Sequence, residues 1–258
     1  MSSATVRSAL RTGWEWGCVF TCVLALPWNA STLHADQAAE VATSTTVPFT
    51  AEPPLRSYTA IRRLESQNDR HRKAAWLVVR TELRTDGTFH WQVIEEGGSE
   101  LIRTRVLREA MEKEAQVHAD GRARRGGLTV ENYTFSTPSP VEGGLSVAIE
   151  PRKREDMLVR GTLLVSTEGE LLRLEGDLVK RPSFWTKSVH LVRHYGRVAG
   201  ERVPLRLDMV AQVRMVGTSR LSMTYRYLEI NGRPVEDESS GPAALSRDGA
   251  VRAATAPR

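Results

Sequence analysis

From Val203 to Val216 every second residue is apolar. Val203, Leu205, Leu207, Met209, Ala211, Val213 and Met215 alternate with Pro204, Arg206, Asp208, Val210, Gln212, Arg214 and Val216. Successive side chains of a strand point to opposite faces, so a period of two specifies a strand with one apolar face and is incompatible with a helix. A strand of that length cannot stand alone in water and must pair with others. The same alternation recurs at Leu172, Leu174, Gly176 and Leu178, and at Trp76, Val78 and Arg80. Turn signals separate the runs: Asp86-Gly87, Gly143-Gly144, Glu168-Gly169, Ala199-Gly200, Val216-Gly217 and Asn231-Gly232. The spacing predicts strands over 57–66, 74–84, 88–96, 128–137, 144–150, 157–167, 170–180, 186–197 with 202–216, and 219–230. Counted so, roughly nine to ten strands form an antiparallel meander.

One segment departs from this pattern. Ser99 to Ala119 contains no Gly or Pro and carries Ile102, Val106, Ala110 and Val117 as one stripe, with Leu107 and Met111 beside it. Ser99 is the expected cap and Gly121 the expected stop. The fold expected is α+β: a curved antiparallel β-sheet, an incomplete barrel, wrapping one amphipathic helix.

The ends read differently from the middle. Residues 1–35 have the pattern of an export signal: Arg7 and Arg11, then an apolar run from Gly17 to Pro27, then Ala35 before Asp36. The run is too short for a bilayer span, which needs about 20 residues. The expected location is therefore periplasmic or secreted after signal cleavage, with an uncleaved amino-terminal anchor as the alternative. Both cysteines, Cys18 and Cys22, fall in this segment, so the mature chain has no thiol chemistry. Residues 36–56 read as a flexible linker, 57–235 as one domain, and 236–258 as a disordered tail. Formal net charge is +5. The basic residues are spread along the chain beside Asp and Glu, which gives no nucleic-acid-binding tract.

The stretches Glu131-Asn132-Tyr133-Thr134-Phe135, Pro151-Arg152-Lys153, Glu168 to Gly176, Lys180 to Trp185, Tyr195-Gly196-Arg197-Val198 and Tyr225-Arg226-Tyr227 resemble a set of exported bacterial proteins. That set is grouped with the outer-membrane lipoprotein-sorting superfamily (LolA- and LolB-like). The resemblance spans about residues 57 to 232. It implies an open antiparallel barrel closed by helix, with a concave apolar surface suited to acyl chains.

Catalytic signals are weak. His190 and His194 lie on a predicted strand about 13 Å apart by strand rise, too far to share one metal ion directly. Nucleophile elbows and phosphate loops are missing. Neighbouring Glu95 and Glu96 point to opposite faces of a strand. The reading is a non-enzymatic binding or carrier protein for an apolar or lipid-linked ligand, with no cofactor and no metal. Expected partners are a lipid or acylated protein, or another envelope protein, with no nucleic acid and no integral span in the mature chain. The alternative is a structural or interaction protein of the envelope with a filled core. Candidate ligand-binding residues are Phe184, Trp185, Leu205, Leu207, Met209, Met223 and Tyr225. Phe184 and Trp185 follow Pro182 between two strands, where they serve as a core plug or a ligand lip.

Overall fold

A computed structural model describes residues 48–50 and 55–236. The expected signal, most of the linker and all of the tail beyond Glu236 lie outside the described residues.

Strands β1 (Tyr58–Asn68), β2 (Lys73–Leu83) and β3 (Phe89–Gly98) form a first meander. Residues 100–119 then make one helix, α1, followed by a 3-10 turn at Arg122–Gly126. The second meander is β4 (Tyr133–Phe135), β5 (Ser139–Val141), β6 (Gly144–Pro151), β7 (Val159–Val165), β8 (Leu171–Leu178), β9 (Thr186–Val198), β10 (Glu201–Val213), β11 (Gly217–Ile230) and β12 (Arg233–Pro234). All pairings are antiparallel, and the order across the sheet is β3-β2-β1-β11-β10-β9-β8-β7-β6-β4. Strand β12 pairs with β11 and β5 with β6. The sheet is open, and α1 links its two opposite edges, β3 and β4.

Among the described residues the count is twelve strands rather than nine or ten. The additional pieces, β5 and β12, are three and two residues long, too short to show a period. The 203–216 alternation also breaks. A bulge between Pro204 and Arg206 shifts its phase. An extra residue in one strand reverses the face of every residue beyond it. Leu207, Met209, Ala211 and Val213 are buried, whereas Leu205 faces out, packed over the bare backbone of Gly196. Met215 lies beyond the strand, in a turn.

Helix α1 buries Ile102, Val106, Leu107, Ala110, Met111, Glu114 and Val117, the expected stripe with one addition. It packs on β1, β2 and β3. Ser99 makes no side-chain cap; its carbonyl instead accepts from the Arg103 amide. Gly121 ends the helix in the left-handed conformation, as expected. Residues Arg103–Arg108 form a π turn. Glu96 on β3 receives both Arg103 (2.9 Å) and Arg108 (2.8 Å), five positions apart, which the wider turn brings to one carboxylate. Packing begins before residue 57. Phe49 is buried, 6.1 Å from the Phe135 ring, and the Thr50 amide donates to the Gly169 carbonyl.

Candidate functional site

On β1 every second side chain turns inward: Tyr58, Ala60, Arg62, Leu64, Ser66 and Asn68. Arg62 thus enters the core from mid-strand, between two fully buried apolar neighbours, and is itself 2% exposed. Glu114 occupies a position on the apolar stripe of α1 and meets it there. Arg62 Nη1 donates to both carboxylate oxygens, at 2.8 and 3.0 Å. Its Nη2 donates to the Tyr58 hydroxyl.

The remaining neighbours are aromatic rings. The guanidinium carbon lies 4.8 Å from the Tyr225 ring centre, 5.3 Å from Phe89 and 5.7 Å from Tyr58. Ring faces carry negative potential, so each contact offsets part of the lost hydration. Tyr225 stacks on Tyr227, whose hydroxyl donates to the Pro204 carbonyl at 3.0 Å. Burial is the largest single effect and works against the Arg62 charge, but Glu114, Tyr58 and Tyr225 together outweigh it and hold the guanidinium well above its ordinary value. Burial raises the hydroxyls of Tyr58, Tyr225 and Tyr227, so none ionises near neutrality. The arrangement is a charge tie between helix and sheet inside an aromatic cage. It holds a cation and a carboxylate together in the core.

His118, one turn after Glu114, stacks on Phe89 at 5.1 Å. Burial lowers its affinity for a proton; Glu114 opposes that shift and Arg62 adds to it. On acidification the unfolded chain takes up this proton first. Stability is therefore expected to fall as pH drops through about 6.5, the unfolded value. Chemical denaturation of the wild type and of His118→Gln, from about pH 8 to about pH 5, measures it. An equal pH slope in both proteins would remove His118 from the account.

The residues read from the sequence as a ligand site do not gather in one place. Leu207, Met209 and Met223 are 0 to 1% exposed, inside the continuous core. Tyr225 joins the Arg62 cage. Leu205 is on the outer face. Phe184 and Trp185 sit in the loop before β9, beside the turn that precedes β11. Tyr225 is eight residues further along β11, roughly 26 Å by strand rise. Trp185 is partly buried against the core and Phe184 is 73% exposed.

Sequence reasoning missed Arg62 and Glu114. The signal was a charge at an inward position of an alternating strand, matched by one on a helix stripe. His190 and His194 lie on the outer face, with His190 beside Asp177 (3.2 Å) and Glu175 (3.6 Å). Among the described residues no group of three His, Cys, Asp or Glu side chains could hold a metal ion, and no helix is long and apolar enough to cross a membrane. An open depression of about 300 Å³ lies near the β2–β3 turn and is polar, lined by Ser57, Glu82, Asp86 and Glu229 among others.

No family model matches the chain, and no curated protein matches it. A solved structure, that of a LolA superfamily protein from Nitrosomonas europaea, is similar to it. The two are 12% identical, the match covers 68% of this chain and 89% of that one, and the TM-score is 0.33. A likeness this distant does not place the chain in that superfamily, and its function must be read from its own residues.

Proposed function

We propose that the protein is a non-enzymatic, extracytoplasmic binding module for an apolar or lipid-linked partner. The reading rests on one observation. A single helix packs on the apolar side of an open sheet at strands β1, β2 and β3, and a buried ion pair ties that helix to β1. A buried pair adds little stability over an apolar pair of similar size, because both charges lose water. What it gives is a specific register for the helix on β1, beside the apolar packing of Ile102, Val106, Leu107, Ala110, Met111 and Val117. A cover held in this way can lift from an apolar face.

Leu207 and Met223 have no surface that a water-sized sphere reaches. An acyl chain would therefore enter by displacing α1, not by filling an existing void. The test is native mass spectrometry with lipid extraction on protein purified from a bacterial periplasm, together with titration of a fluorescent fatty acid. Loosening the tie with Glu114→Gln should strengthen acyl binding at least severalfold. A clean apo mass and no probe binding by either protein would sink the reading.

The same packing favours a second reading: an interaction protein of the envelope, with a filled core and its contacts outside. Under that reading neither protein takes up the probe, and crosslinking in the envelope finds a partner at an exposed surface.

A further inference from the structure

The two ends of the strands carry opposite charge. Four hairpin connections lie at the end where β1 finishes and β11 begins: 69–72, 152–158, 179–185 and 214–216. Together they hold eight Lys or Arg against three Asp or Glu. The connections at the other end, 84–88, 142–143, 166–170, 199–200 and 231–232, hold one Arg against four acidic residues. The chain's modest net charge conceals this separation.

The basic rim also carries the two most exposed large apolar side chains among the described residues, Phe184 (73%) and Met215 (76%). Both sit on one laced surface. The Arg214 amide donates to the Trp185 carbonyl at 2.8 Å, and Arg70 Nη1 donates to the Met215 carbonyl at 2.6 Å. The Arg214 guanidinium lies 4.8 Å from the Phe184 ring centre. Asn68 binds across to the Val216 carbonyl and to Ser219. Met215 has φ of 64°, a left-handed conformation in which Gly or Asn is easier. The fold gains nothing from an exposed, strained Met at a turn. Such costs collect where a surface has a use.

We infer that this rim docks on an anionic lipid surface. Phe184 and Met215 would enter the headgroup boundary, and the surrounding Arg and Lys would meet lipid phosphates. A bilayer fits better than an acidic protein because the apolar groups protrude from turn tips instead of lining a groove, with cations ringed behind them. The inference goes beyond the proposed binding function and does not require the concave face to take a ligand.

Flotation of the full chain with vesicles of phosphatidylcholine, with and without phosphatidylglycerol, tests it. Any contribution of the apolar amino-terminal segment is the same in every variant. Phosphatidylglycerol should increase binding, and added salt should reduce that increase. Arg181→Glu should weaken the increase at least about fivefold, and Phe184→Ser with Met215→Asn should weaken it similarly. Arg84→Glu, the same charge change at the opposite rim, should leave it unaltered. Thermal melting of each variant verifies folding. Loss of binding in Arg84→Glu equal to that in Arg181→Glu would overturn the inference. So would full binding by the Phe184/Met215 variant combined with competition by soluble polyglutamate, which would point to an acidic protein.

Discussion

Replacing Arg62 with Met should destabilise the protein by about 3–5 kcal/mol, because it leaves the Glu114 carboxylate buried without its cation. For a domain of this size that is a fall in Tm of roughly 10 °C or more. Glu114→Leu should cost a similar amount by leaving the cation alone among the rings. The double variant Arg62→Met/Glu114→Leu should recover most of the loss, since it removes both desolvation penalties together. Equilibrium denaturation of all four proteins gives the coupling energy. Simple additivity of the two single losses would mean that the pair does not act as a tie.

Adding a side chain where β7 crosses β8 should be nearly as damaging. Gly161 and Gly176 face each other in register. A Cβ on Gly176 would lie 2.2 Å from the Arg160 carbonyl oxygen, and one on Gly161 would lie 2.0 Å from that of Glu175. These obstacles are backbone and cannot swing away. Gly176→Val should therefore force the strands apart at a cost of about 3 kcal/mol. Gly87→Asn, at an open turn with φ of 85°, should cost less than about 1 kcal/mol, because Asn tolerates the left-handed region. Chemical denaturation separates the two outcomes, and equal effects would contradict the close approach.

Strands β10 and β11 were legible because an apolar residue recurs at every second position, from Leu207 to Val213 and from Leu221 to Tyr227. The helix was legible from its stripe and from Gly121. Other features depend on partners that are distant in sequence. The phase shift at Leu205 follows from how β10 pairs with β9, which a single strand's pattern does not contain. The π turn depends on Glu96 reaching two arginines. Phe49 looked like part of a linker because its neighbours are small and polar, yet one ring was enough to dock it. Arg62 and Glu114 lie 52 residues apart in sequence, and only the pairing of helix and sheet makes them complementary. Even spacing of arginines along the chain likewise hid their concentration at one rim, because hairpins bring every second connection to the same end.

The strand order has a consequence for how this molecule comes to exist. Arg62 and Met223 touch across 161 residues of chain, and β1 finds its second neighbour only in the last long strand. Closing so large a loop is slow and entropically costly. Until β11 is available, β1 presents a bare row of amides and carbonyls to any other chain. A nascent copy therefore passes through a period in which its first hairpins are formed but unsealed. During that interval a holding chaperone, or simple dilution, decides between maturation and aggregation.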